Sequence, residues 1–316
     1  MAAEPLISIC IPAYKNKVFL DRLLDSIHRQ DFRDFEVIVS DDSPDHSVKD
    51  VCDSYSSRLP LQYHRNEKAL GTPENWNAAV RRARAPWIKI MHDDDWFADA
   101  ASLAVFADAI HRRPEASFFF SAYRDVFLDE DRSREMFTGG WRYRAFLKEH
   151  ATLMSRNIVG PPSVTLYRND PAFEYDPQVK WVVDIDFYIR YLEGKTPAYI
   201  PRILINVGIG SLQVTQYTHG HRNVEIPENF RLLNKLGAAR LRNWMIYDAW
   251  WRLMRNLDIQ RPQEIREAGY TGEVHPVILS MVDWQRRLSK RLLGIGPLSK
   301  SLMFLHYITH ISKLPA

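Results

Sequence analysis

Between Leu6 and Ser121 the chain alternates short apolar, β-branched runs with stripes of helical spacing, and few architectures accept that order. Leu6–Ile11, closed by Pro12, together with Phe35–Val39, Trp87–Met91 and Ala116–Ser121, read as buried strands, with a shorter one at Leu61–His64. Phe19, Leu20, Leu23, Leu24 and Ile27 recur as one helical face, as do Trp76, Ala79, Val80 and Ala83, and Leu103, Phe106 and Ile110 within Ala100–His111. Gly71-Thr72-Pro73 reads as loop, N-cap and first helical residue. The alternation predicts an α/β fold: a mostly parallel, doubly wound sheet with helices on both faces. Ligands of such sheets bind beyond the carboxyl ends of the strands, so polar groups gathered there are the candidates for chemistry.

Composition narrows the class. At 316 residues, 46% apolar and 26% charged, the chain has material for a sizeable core, which excludes disordered and collagen-like classes. Forty-two Lys and Arg against 39 Asp and Glu leave a charge of only +3, no footprint for a nucleic-acid partner. Cys10 and Cys52 are too few for a disulfide framework or a zinc site, which points to a reducing compartment. Met1–Pro5 holds an acid and no base before a short apolar run, so no signal peptide is expected. Leu302–Ile311 is too short to span a bilayer. The expected location is cytoplasmic.

Three strand ends carry polar groups: Pro12-Ala13-Tyr14, Asp41-Asp42 and His92-Asp93-Asp94-Asp95. Three successive aspartates repel one another. One could cap the next helix with the others solvated, or a divalent cation could sit among them. Mg²⁺ and Mn²⁺ favour hard oxygen ligands and bridge carboxylates to substrate phosphates, which implies a diphosphate ligand. Neither G-x-G-x-x-G after the first strand nor G-x-x-x-x-G-K-[ST] occurs, which argues against a dinucleotide-dependent dehydrogenase and a P-loop kinase. Tyr14 could stack on a nucleobase and Asp41 or Asp42 accept from its ring N–H or a ribose hydroxyl; the plain alternatives are a half-buried aromatic and a turn.

These residues in this order resemble the inverting glycosyltransferases of family 2, which have the GT-A fold. Ile7-Ser8-Ile9-Cys10-Ile11-Pro12-Ala13-Tyr14 is similar to the family's opening strand and its nucleotide-binding Pro-x-Tyr, and Phe35–Ser43 to its second strand with a base-binding Asp pair. Gly71–Asn77 is similar to its Gly-x-x-x-Asn-x-Asn segment, which adds Asn77 to the nucleotide-binding set, and Ile88–Trp96 to its D-x-D region. His92 stands where the first Asp of D-x-D is usual, so the resemblance makes Asp94 the metal ligand, with Asp95 beside it and Asp93 free for a ribose or sugar contact. Imidazole suits Mg²⁺ poorly, which tilts the expectation toward Mn²⁺ or toward weak metal binding.

Asn157–Ser163 is similar to a family segment lining the sugar and acceptor site, giving Pro162 and Ser163 to that pocket; read from composition alone it is a stiff Pro-rich loop. Trp181–Phe187 opens a helix that ends at Gly194, with Asp184 in a first turn whose dipole favours a carboxylate. The family's base is the Asp of an acidic pair there; Val183 replaces the usual Glu, and Asp184 and Asp186 keep their places, so the resemblance makes Asp184 the base, with Trp181 and Asp186 on the acceptor side. Gly210–Thr215 lacks the His expected before Gln-x-Thr, and no role is carried to it.

The implied organisation is a nucleotide-sugar half, 1–125, an acceptor half, 126–225, with a charged unpatterned loop near 128–144, and a helical region, 226–316. Leu241, Trp244, Tyr247, Trp251 and Met254 form a core stripe there. Arg286, Arg287, Lys290, Arg291, Lys300 and Lys313, with no acid from Trp284 on, alternate with Leu288, Leu292, Leu293, Leu298, Leu302, Met303, Phe304 and Leu305. Such a pattern suits either a cap on the domain or an anionic membrane surface beside a lipid-linked acceptor. The Gln-x-x-Arg-Trp motif of processive relatives is absent, so one sugar per encounter is expected. Alternatives are a sugar-nucleotide pyrophosphorylase, which would want a Gly-rich basic loop where Pro12–Asn16 stands, and a binding module that has lost its chemistry.

Overall fold

A computed structural model describes residues 4–210 and 220–315; most of Gly210–Thr215 therefore lies outside the described residues. The uninterrupted apolar runs become strands buried on both faces. β1 (Ile7–Ala13) is buried at every position but Pro12, and β2 (Phe35–Asp41) throughout. β3 (Leu61–Arg65) is a half-buried edge and β4 (Trp87–Ile90) is central. Helices α1 (Lys17–His28), α2 (Ser47–Tyr55), α3 (Glu74–Val80) and α4 (Ser102–Arg112) alternate with them. α1 packs Leu20, Leu23, Leu24 and Ile27 inward, the face its spacing announced, and Asn16 caps it by accepting from Phe19 N at 3.2 Å. α3 starts at Glu74, one residue later than the reading of Thr72 as its cap; Pro73 holds the capping position without a side-chain acceptor.

β5 (Trp96–Phe97), β6 (Phe118–Phe127), β7 (Arg132–Met136), β8 (Thr165–Arg168) and β9 (Pro197–Ile209) complete a sheet in the order β3-β2-β1-β4-β8-β6-β9-β5, with β7 on β6. Following the pairings, β1–β4, β6 and β9 run one way and β5, β7 and β8 the other, so the sheet is mostly parallel. The segment read as an unpatterned loop contains β7, which is exposed along nearly its whole length. Its backbone ladder to β6 and the 2.7 Å Arg134–Asp125 ion pair hold it, so no apolar period announces it. After it come α5 (Gly140–Lys148), α6 (Val183–Tyr191), α7 (Arg222–Leu236), α8 (Trp244–Asn256), α9 (Pro262–Glu267), α10 (Pro276–Arg286), α11 (Lys290–Gly294) and α12 (Gly296–His310).

Two compact units result, and they do not follow boundaries at 125 and 225. The first comprises the described residues up to Leu147, Ile158–Gln178 and the stretch from Asp186 through β9. It holds the sheet, with Ile9, Val37, Leu103, Phe106, Phe119 and Leu204 in its core. The second joins Lys148–Asn157 and Val179–Ile185 to α7–α12. Trp250, Trp251 and Tyr247 fill it, together with Met254 and Leu241, as the helical stripe required, whereas Trp244 lies outward. No described helix is long and apolar enough to cross a membrane.

Candidate active site

β1 lies between β2 and β4, so the three polar strand ends are neighbours. Ala13 pairs with Asp41, Asp42 N donates to Ala13 O at 3.1 Å, and Met91 N donates to Cys10 O at 2.9 Å. Just past Pro12 and Ala13, the Tyr14 ring is 52% exposed, and its backbone N reaches Asp93 Oδ2 at 3.5 Å. An aromatic face is thus presented to solvent at the carboxyl end of the sheet.

The two aspartates after β2 have different surroundings. Asp41 is fully buried; Oδ1 accepts from Ser43 N and Oδ2 from Tyr63 Oη, both at 2.7 Å. These two bonds brace the turn that follows β2. Asp42 clamps the 66–71 loop: Oδ1 accepts from Asn66 Nδ2 at 2.8 Å and Leu70 N at 3.0 Å, and Oδ2 from Gly71 N at 2.8 Å. The Asn77 amide donates to Tyr175 O at 2.8 Å and accepts from Tyr175 N at 2.9 Å, so it ties two chain segments together beneath the surface.

In the turn after β4, His92, Asp94 and Asp95 each offer a ligand atom, all within 4.8 Å of one another. His92, expected to weaken metal binding, thus stands with the two carboxylates as a candidate donor, while Asp93 turns toward Tyr14. The imidazole packs 4.6 Å from the Trp76 ring, and its Nε2 is buried with no hydrogen-bond partner. Burial pushes the His92 pKa down, and pushes Asp95 well up with the charge of Asp94 adding to the effect. Asp93 is pushed up to about 7, first by burial and then by Asp94. An unpartnered imidazole nitrogen beside two carboxylates is a donor set that fits a divalent cation tolerant of mixed N and O ligands, Mn²⁺ before Mg²⁺.

The fold also brings cations to this turn. Lys89, in the apolar run of β4, is fully buried, and its Nζ donates to Ser163 O. Burial pushes its pKa down to about 7 against the opposing charge of Asp95. Arg22 of α1 donates to Asp94 O at 2.8 Å and lies 3.7 Å over the Trp96 ring. Both residues eluded the sequence reading, although a lysine inside Trp-Ile-Lys-Ile is itself a signal, because a buried charge needs a partner. Gly208 of β9 donates to Asp95 Oδ1 at 3.1 Å, and a Cβ there would stand 2.4 Å from Asp94 O, so only glycine permits the approach.

On the acceptor side, Pro162 and Ser163 are buried, and Ser163 Oγ accepts from His92 N at 3.0 Å, so this loop positions the acidic turn. Asp186 is fully buried and held 2.7 Å from Arg190.

The second unit carries Asp184, half-buried in the first turn of α6. Asn157 Nδ2 donates to its Oδ2 at 2.7 Å and Ile185 N to its Oδ1 at 2.8 Å. Burial outweighs these bonds and raises its pKa to about 6, so it is ionised at neutral pH and still basic enough to take a proton. Glu228 of α7, which no sequence pattern indicated, gathers the N–H groups of Lys180, Trp181 and Val182 at 2.9, 2.7 and 3.1 Å and fixes the entry to α6. Trp181 lines a cavity of about 160 Å³ with Met154, Ile185, Asn229, Trp250 and Arg252. The buried Nε1 of Trp250 has no hydrogen-bond partner.

A mostly parallel sheet with exposed Tyr14 and the acidic turn at its carboxyl ends defines the protein as a GT-A-type α/β fold. The structure superposes on S. aureus TarS 1-349 in complex with UDP-GlcNAc with a TM-score of 0.59, 17% identity and 92% of each chain covered. It superposes on the mannosyltransferase PcManGT from Pyrobaculum calidifontis, in complex with GDP-Man and Mn²⁺, with a TM-score of 0.53, 13% identity, and 98% and 88% covered. Residues 8–173, more than half of the chain, match the family described as Glycosyl transferase family 2, and the chain belongs to that family. It is 25% identical over 265 residues to the uncharacterized protein MT1568 of Mycobacterium tuberculosis, covering 78% of this chain and 77% of that one.

Proposed function

We propose that the protein is a non-processive, inverting, metal-dependent glycosyltransferase that moves one sugar from a nucleoside-diphosphate donor, a UDP-sugar by preference, to a hydroxyl of a glycan or lipid-linked acceptor. Its setting is assembly of bacterial surface polysaccharide, on the cytoplasmic side and at the inner face of the membrane. The observation that carries the reading is the gathering of Tyr14, Asp42, Asp93 and the His92, Asp94, Asp95 donor set at adjacent strand ends. Tyr14 offers its exposed ring to the base, and Asp42 shapes the 66–71 loop around it. TarS bound to UDP-GlcNAc supports the choice of donor.

Asp184 takes the proton of the acceptor hydroxyl. The freed oxygen bonds to the anomeric carbon from the face opposite the diphosphate, and the carbon–oxygen bond to the diphosphate breaks with its electron pair on the leaving group. Configuration inverts. His92, Asp94 and Asp95 would hold Mn²⁺ or Mg²⁺, which when bound supplies Lewis-acid neutralisation of the departing diphosphate. Arg22 and Ser163 hold the acidic turn in shape before donor arrives, and Lys89 braces the Ser163 carbonyl. The Trp181–Trp250 cavity is our candidate for part of the acceptor site.

The test is a panel of nucleotide-sugars scored by thermal shift with and without Mn²⁺, since a ligand that binds only the folded state raises the melting temperature by mass action. NMR of the transfer product then reports the anomeric configuration. A second reading, a binding module without chemistry, is favoured by Lys89 and Arg22, which neutralise the turn from within the chain. Slow donor hydrolysis with Mn²⁺ that stops on chelation would exclude it.

A further inference from the structure

We propose that the outward face of α12, with the α11 region before it, docks onto an anionic lipid surface. This rests on the proposed lipid-linked acceptor, and the docking itself needs no catalysis. Of the thirteen large apolar side chains exposed among the described residues, six fall between positions 292 and 308. Leu292 is 42% exposed, Ile295 53%, Leu298 36%, Phe304 51%, Leu305 47% and Ile308 52%. At 100° per residue, Leu298, Phe304, Leu305 and Ile308 fall within about 120° of arc on α12, a single apolar stripe. The opposite side, with Ser299, Met303 and His306, is the buried one. Scattered exposed apolar residues are normal; a contiguous stripe marks an interaction surface.

Charge selects the occupant. No acid occurs from Trp284 to the last residue, while six bases do. Arg286 and Arg287 pair with Asp283, and Lys290 with Asp258. Arg291, Lys300 and Lys313 have no ion-pair partner among the described residues, and they flank the stripe: beside Leu292, within α12, and just past its end. Apolar side chains beside cations that lack an ion-pair partner, with Lys300 Nζ 5.1 Å over the Trp244 ring, suit the headgroup boundary of an anionic bilayer, where the side chains enter the acyl region and the bases meet lipid phosphate. A helix of 15 residues lying flat serves this purpose without spanning.

Co-sedimentation of the full chain with phosphatidylglycerol and with phosphatidylcholine vesicles tests the proposal. The expected result is partitioning at least tenfold stronger to the anionic vesicles, falling in 1 M salt as the screening length shrinks to about 3 Å. Leu305→Glu with Ile308→Glu should abolish it, and Arg291→Gln with Lys300→Gln and Lys313→Gln should weaken it by roughly tenfold or more. Because these side chains are exposed, circular dichroism, melting temperature and the nucleotide-sugar thermal shift should stay at parental values. Val18→Glu, at a 67% exposed site on α1, is the control that keeps partitioning. Failure to bind either vesicle, equal binding to both, or a dimer in sedimentation velocity that Leu305→Glu with Ile308→Glu dissolves would each overturn it, the last assigning the stripe to a second copy. A normal donor shift alongside failed partitioning leaves the transferase reading intact, and the reverse result would count against that reading alone.

Discussion

Asp184, the proposed base, stands in a balance of two effects. Burial disfavours its charge, while Asn157 and the first-turn N–H favour it, and the outcome near pH 6 is a base that is ionised at pH 7. Asp184→Asn keeps the shape and removes the basic electron pair, so transfer should fall by about 10²-fold or more with donor binding near normal. In the parent, kcat/KM should decline as pH drops through about 6. Stability follows from the same shift. A folded pKa raised from 3.8 to about 6 means the protonated form favours the fold. That contribution is complete below about pH 4 and is lost as pH rises through about 6. Asp184→Asn should therefore melt higher than the parent at pH 8, by at most about 3 kcal/mol in stability, and equal it near pH 3.5. Equal melting at both pH values would show that this carboxylate is not desolvated. Asp42 acts through geometry: Asp42→Ala strips three donors of their partner, and we expect nucleoside-diphosphate affinity and stability to fall together, by about 1–3 kcal/mol each, in calorimetry and urea unfolding. Asp94→Asn should fold normally and lose Mn²⁺-dependent donor binding; an unchanged Mn²⁺ dependence would leave the acidic turn purely structural.

At the scale of elements, the acidic turn is held from three sides, by Ser163 before β8, Arg22 in α1 and Gly208 in β9. Gly208→Ala adds one carbon where backbone, which cannot rotate away, stands at 2.4 Å. The expected cost is about 1–3 kcal/mol by chemical denaturation, with a disproportionate loss of Mn²⁺-dependent donor binding as Asp94 and Asp95 shift. A variant that loses stability and keeps that binding would separate the strand from the turn. β7 shows what escapes pattern reading. Its register to β6 comes from backbone hydrogen bonds and an ion pair, neither of which has a period in sequence.

On the scale of the molecule, the second unit is assembled from segments far apart in the chain. Ala151, Leu153, Val179 and Val182 are buried there although they precede α7 by many residues. A chain ending after β9 should expose them, bind a hydrophobic dye and elute as aggregate in gel filtration; a monomer with native near-ultraviolet dichroism would contradict that assembly. The order of strands and helices was written in local apolar period, because burial of β1, β2 and β4 on both faces demands uninterrupted apolar runs and leaves polar residues to their ends, and the candidate acids Asp42, Asp94 and Asp184 entered through the family resemblance. Only the tertiary structure decided that Asp41, Asn77, Ser163 and Asp186 face inward, that His92 joins Asp94 and Asp95, and that Lys89, Arg22 and Glu228 hold their neighbours in place. Those outcomes depend on which segments meet across long separations, and a side chain's partner in space is fixed by packing and hydrogen-bond satisfaction, which one-dimensional spacing does not encode.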